Sequence, residues 1–345
     1  MLNFVGGDHV ENTKAPKSGR GNHHKRRLIE LLAILRHETD RNNRLTMRRL
    51  LERLGLEQTE ANMRDVRLDV RVLKEEGIPV KIERHTACEY YLGERLLAPG
   101  ELQAIVNIVQ SSRSISLEKS DDLITSLLSL ASESEASEIR KGIRLGNRAR
   151  TDNTEVFDNI EVIMRAMQRS PRHKVSFLYF SMDPYGARIY HDDGQRVEET
   201  PVILTHMDDK FYLITYSDGK KRLTTRRIDR MEAVSDTGNR GAWASVIDSF
   251  DLTTFERSQF GMFIGDTTRV RMLAGDKGAN VLYDRFGEGM RVVEERPDGS
   301  YLIEADVTVS QQFYGWARGL AGLIEVIEPQ DVRDGCYERV DPDWS

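Results

Sequence analysis

The chain has 345 residues, 39% of them hydrophobic and 31% charged, which is enough apolar material for two or three small cores. Its formal net charge is −6, yet residues 1–95 carry about 19 Lys and Arg against 15 Asp and Glu while the remainder carries about 31 against 41, a basic head on an acidic body. No run approaches the roughly 18 apolar residues of a membrane helix, residues 1–25 lack the apolar stretch of a secretory signal, and Cys88 and Cys336 fit no metal spacing, so a cytoplasmic protein with reduced thiols and neither membrane nor metal is expected.

Residues 1–25 read as a disordered leader, with His23 and His24 a solvated pair. From Arg26 to Glu38, Leu28, Leu31, Leu32 and Leu35 recur at three- and four-residue steps and predict an amphipathic helix. Thr46 caps a second helix with Met47, Leu50, Leu51 and Leu54 apolar, and Gly55 ends it. Thr59 opens a third, whose buried stripe is Met63, Val66, Val70 and Leu73 and whose stop is Gly77. The alternating runs on either side of the turn at His85–Cys88 predict a two-stranded hairpin. Three helices and a hairpin over residues 26–95 give the order of a winged helix-turn-helix, in which the third helix enters the major groove of duplex DNA. Arg64, Arg67 and Arg71 share one face of that helix, beside the apolar stripe, and guanidinium groups read guanine or clamp phosphate. With Thr46, Arg48, Thr59, Asn62 and Arg84 they are the expected DNA contacts. The alternative is that these arginines only solvate the helix and pair with Asp65, Asp69 and Glu75.

Residues 96–154 carry helix-spaced apolar positions and read as a helical connector, which either packs on its neighbours or forms a dimer contact. A homodimer is expected, because paired half-sites raise affinity for an operator. In residues 155–250 a helix stopped by Pro171 precedes strand-like runs at 174–181, 196–207, 210–217 and 221–234. Turn signals at Asp192–Gly194, Asp208–Asp209 and Asp218–Gly219 separate them, and short strands so spaced predict a small antiparallel barrel or sandwich. Residues 251–345 follow the order β-α-β-β-α-β, that of a ferredoxin-like domain. The fold class is therefore α+β.

The segment from Pro201 through Phe211-Tyr212-Leu213 to Arg227-Ile228-Asp229-Arg230 resembles the WYL domain of bacterial transcriptional regulators, with phenylalanine in place of the name's tryptophan. Those proteins carry a winged helix-turn-helix ahead of the domain and a C-terminal extension behind it, and the runs VLYDRFG, FYGWARGL and IEPQDVR look like that extension. Their third helix commonly has Arg-Asp near its middle, where this chain has Leu68-Asp69. The resemblance implies an Sm-like WYL barrel that senses a nucleotide or single-stranded nucleic acid and alters how the helix-turn-helix holds operator DNA. Tyr179, His206, Tyr212, Arg227 and Arg230 would line the pocket: Tyr212 stacks on a base and the arginines take phosphate. Against this, Tyr179 and Tyr212 are core residues on strands, His206 is an exposed or satisfied histidine, and Arg227 pairs with Asp229. Strict alternation puts Arg227 and Arg230 on opposite faces unless the strand bulges or ends near Asp229.

No Gly-rich phosphate loop, GxSxG or HExxH occurs, so no catalytic residues and no cofactor are expected. The competing function is a protein-interaction adaptor that uses a helix-turn-helix-like module without binding DNA.

Overall fold

The structure, a computed structural model, describes residues 20–143, 150–242, 260 and 267–337. They form a mixed α+β protein with three antiparallel sheets. Two compact units divide it: one holds residues up to 112 with 117–147, the other 113–116 with 148 onward.

The first unit begins with α1 (Arg20–Glu38), β1 (Leu45–Thr46), α2 (Met47–Arg53), α3 (Glu60–Glu75), β2 (Val80–Arg84) and β3 (Cys88–Leu92). Residues 20–25, assigned above to the leader on their polarity, are the first turns of α1; they hold no proline, and the helix anchored by Leu31 and Leu35 continues back through them. Residues 1–19 lie outside the described residues. The caps are those expected: Thr46 Oγ1 accepts from the Arg49 N–H and Thr59 Oγ1 from the Asn62 N–H, at 3.5 and 3.2 Å. Gly55 and Gly77 take φ of 64° and 79° just past the helix ends, a region closed to most side chains. Leu31, Leu35, Leu50, Leu51, Val66, Val70, Val80 and Tyr90 close one core. The hairpin has a third strand, because β1 adds to β3 through Leu45 and Thr46.

Helices α4 (Pro99–Ser111), α5 (Leu117–Leu128) and α6 (Glu133–Gly142) occupy the connector and bury Leu102, Val106, Ile124, Leu128 and Ile139 together. They are tied to the end of α1. The Ser132 hydroxyl donates to buried Asp40 at 2.6 Å, and Arg95 donates to the Thr39 carbonyl at 2.6 Å while pairing with Glu135 at 3.0 Å.

The second unit opens with α7 (Val156–Gln168) and β4 (His173–Met182), β5 (Arg188–Tyr190), β6 (Val197–Met207), β7 (Lys210–Ser217), β8 (Arg222–Arg227) and β9 (Met231–Arg240). The strands pair antiparallel in the order β5-β4-β6-β7-β8, with β9 also on β4. The single run expected at 221–234 is two strands. Ile228, fully buried among Val175, Phe177, Leu213 and Ile163, draws the chain into a 3-10 turn at Ile228–Arg230. β5 was not foreseen, and the turn at Asp192–Gly194 is a 3-10 turn between β5 and β6. Asp208 and Asp209 form the two-residue β6–β7 turn, both with positive φ, which aspartate tolerates.

The same unit ends with β10 (Thr267–Ala274), α8 (Asp276–Phe286), β11 (Met290–Glu295), β12 (Tyr301–Thr308), α9 (Gln311–Gly319), β13 (Ile324–Glu328) and α10 (Gln330–Tyr337). The β-α-β-β-α-β order is as expected, and the sheet order is β11-β12-β10-β13. Leu282, Phe286, Phe313 and Ala317 of the helices pack on Val270, Met272, Ile303, Val307 and Val326 of the strands, with Phe260 in the same core. α10 was not foreseen; it buries Val332 and Cys336 there.

Candidate functional site

α3 buries Val66, Val70 and Leu73 and turns Arg64, Arg67 and Arg71 to solvent. Its two aspartates face the other way. Arg27 of α1, only 14% exposed, donates from Nη1 to Asp65 and from Nη2 to Asp69, both at 3.2 Å, and from Nε to Asp69 as well. The fork engages both carboxylates at once, offsets one of their two charges and holds them on the side of α3 away from its arginines. Arg64 and Arg71 have no ion-pair partner among the described residues, and Arg67 lies within hydrogen-bond reach of the buried Tyr90 hydroxyl. The pairing of these arginines with Asp65, Asp69 and Glu75, kept open on sequence, is absent among the described residues. Arg27 itself was overlooked: the i, i+4 spacing of the aspartates was legible, but their partner lies 38 and 42 residues away.

The other expected contacts divide by job. Thr46 and Thr59 cap α2 and α3, and Asn62 Nδ2 donates to the Glu57 carbonyl at 2.8 Å, which fixes the turn between them. Arg48 is exposed on α2 and Arg84 at the end of β2. Arg44 pairs with Glu83 and lies 5.1 Å over the Tyr91 ring, holding the hairpin.

In the second unit, Tyr212 and Arg227 are direct partners across β7 and β8, so their side chains share a face. The strand ends at Arg227 and the 3-10 turn carries Arg230 round, so strict alternation does not apply. The hub is Asp229, which sequence reasoning missed as one. It is 5% exposed and accepts from Arg227 Nε and Nη2 at 3.0 and 2.7 Å, with Lys210 Nζ at 3.7 Å. Burial pushes its carboxyl up, but Arg227, Lys210 and Arg230 outweigh that and hold it below the ordinary carboxylate range. Burial pushes the Lys210 ammonium down and the Tyr212 phenol up. Tyr179 is half-buried, and its hydroxyl accepts the Arg227 N–H at 3.1 Å. The Arg230 guanidinium sits 5.7 Å over the Phe180 ring. His206 is exposed and packs on Phe211, with ring centres 4.8 Å apart, on the other face of the strand pair from Tyr212. Arg226 points the other way, onto buried Glu199 at 2.6 Å and over Tyr179 at 5.0 Å.

Among the described residues no three His, Cys, Asp or Glu side chains gather as a metal site would, and no helix is long and apolar enough to cross a membrane.

The chain is similar over 95% of its length to proteasome accessory factor B/C (PafBC) of Arthrobacter aurescens, at 17% identity and a TM-score of 0.29, and spans half of that chain. It is similar over 69% of its length to a CRISPR Cas-related protein, covering 78% of it, at 13% identity and a TM-score of 0.34. Overlaps so low fix neither fold nor function. No curated protein matches the chain. The WCX domain family matches residues 266–341, the segment that holds the β-α-β-β-α-β order. Residues 266–341 are therefore a WCX domain, the WYL C-terminal extension, as the resemblance to WYL regulators implied for this end of the chain.

Proposed function

We propose that the chain is a cytoplasmic, non-enzymatic transcriptional regulator that binds operator DNA as a homodimer. In this reading α1 to β3 are a winged helix-turn-helix, α7 to β9 an Sm-like WYL barrel, and β10 to β13 a ferredoxin-like extension. The observation that carries it is α3: three outward arginines on a helix whose own aspartates are bound elsewhere by Arg27. Glu60 and Glu75 are exposed only at the two ends of that face, so its middle offers the arginines to a polyanion with the aspartates held aside. The WCX domain supports it, because it accompanies WYL domains. The effector is a nucleotide or single-stranded nucleic acid held at Tyr212, Arg227 and Arg230, with Tyr179 in the wall. His206 sits apart from that cluster.

A mobility shift on duplex DNA tests the reading. Binding should weaken steeply with salt, by about 0.9 in log K per log salt for each phosphate neutralised. Arg64→Ala and Arg71→Ala should each cost about 1–3 kcal/mol where they meet a base. No shift on any duplex would favour the adaptor, and unchanged affinity in both variants would remove α3 from the interface.

A further inference from the structure

Wound at about 3.6 residues per turn, Leu68 stands on the order of 180° from the buried stripe of α3. The middle of the outward face is therefore a leucine. It is 46% exposed; Val72, one turn on, is 40% exposed, and Ala61, two turns back, is exposed too. One exposed leucine needs no explanation. Three apolar side chains in line along the middle of a helix face call for an occupant.

The flanks say which kind. Arg64 and Arg71 border the stripe on one side, with Glu75 beyond them at the last turn, and Asp65 and Asp69 on the other are both held by Arg27. What covers this face has negative charge at its rim and apolar groups at its centre. The major groove of duplex DNA has both: phosphates along its edges and the 5-methyl groups of thymine on its floor. Leucine offers no donor to guanine and no acceptor to cytosine. A G·C edge beneath Leu68 loses water and receives nothing back, whereas a thymine methyl loses little and packs.

We propose that Leu68, flanked by Ala61 and Val72, reads thymine methyl groups, so that the preferred site places A·T pairs beneath the middle of α3. This rests on the reading that α3 enters the major groove.

The test uses the full chain and sites selected from randomised duplexes. The best site is synthesised with uracil in place of thymine at one position at a time, which removes only the methyl. At one or two positions binding should weaken about fourfold per methyl lost. Leu68→Ala should weaken the thymine site by a similar factor and erase the difference between thymine and uracil. Its salt dependence should match the parent's, since no phosphate contact is removed. Equal affinity for thymine and uracil at every position in the parent overturns the proposal, as does a difference that persists in Leu68→Ala. A change of oligomeric state in Leu68→Ala, with the thymine preference intact, would assign the face to a second copy of the chain and overturn it too. Failure to bind any duplex removes the groove reading itself and this proposal with it; tight binding blind to the methyl removes this proposal alone.

Discussion

Asp229 is under two opposed influences. It is buried, which favours the neutral acid, yet it is the common partner of Arg227 and Lys210, which favour the carboxylate, and the cations win. The direction of the shift sets a pH dependence. A carboxyl whose folded pKa is depressed stabilises the fold above its unfolded value of about 3.9, and that contribution is lost as pH falls through the lower folded value. Urea unfolding between pH 7 and pH 2 should thus lose stability below the unfolded value. Asp229→Asn should flatten that acid limb while costing about 1–3 kcal/mol at neutral pH, less than a fully buried pair because Arg227 is 32% exposed. An acid limb identical to the parent's would mean that Asp229 is not the titrating group. The same pair bears on the proposed effector: Arg227 already has a carboxylate, so under that reading a phosphate would have to compete with Asp229 for it.

At the scale of elements, packing decides what periodicity leaves open. Gly278, in the first turns of α8, shows how closely. A Cβ there would collide with the Leu323 carbonyl, backbone that cannot swing aside, and would crowd Ala274 at 3.0 Å. Gly278→Ala should therefore destabilise the protein by about 1–3 kcal/mol, although alanine is the better helix former by about 1 kcal/mol. A thermal melt of the variant at or above the parent's would show that α8 has room to shift. Such contacts also explain what could be read in advance. α2 and α3 were legible down to their capping threonines and terminal glycines, because caps and stops are local chemistry. The β-α-β-β-α-β order was legible for the same reason. The break after Arg227 was not, because it follows from the burial of Ile228 against strands distant in sequence. Neither were β1 and β5, two and three residues long, which exist only by pairing with β3 and β4. In the candidate sites, the residue types were legible and their partners were not. Arg64, Arg67 and Arg71 could be placed on one face, but that Arg27 holds Asp65 and Asp69, and that His206 faces away from Tyr212, are tertiary facts.

On the scale of the whole molecule, the chain passes between its units more than once. Residues 113–116, between α4 and α5, belong to the second unit, while the helices on either side belong to the first. That short segment is anchored beside the Asp229 cluster. The Arg113 N–H donates to Asp209 at 2.9 Å, the Arg113 carbonyl accepts from Thr151 N–H at 2.9 Å, and Lys210 Nζ reaches the same carbonyl at 3.5 Å. Lys210 thus spans two partners, the Asp229 carboxylate and the Arg113 carbonyl. Under the proposed sensor reading, an anion bound at Tyr212 and Arg227 would compete for that ammonium, since a phosphate is the stronger acceptor. Under that reading, drawing Lys210 aside would weaken the hold on residues 113–116, which are covalently continuous with α4 and α5. Amide hydrogen exchange reads it directly. The Arg113 and Thr151 amides should exchange slowly in the free protein and faster when a nucleotide or short single strand is added. Lys210→Ala should exchange fast in both conditions, and Asp209→Asn should loosen Arg113 while sparing Thr151. Binding of the effector with no change at Arg113 or Thr151 would leave the pocket in place and remove the anchor from the route of response.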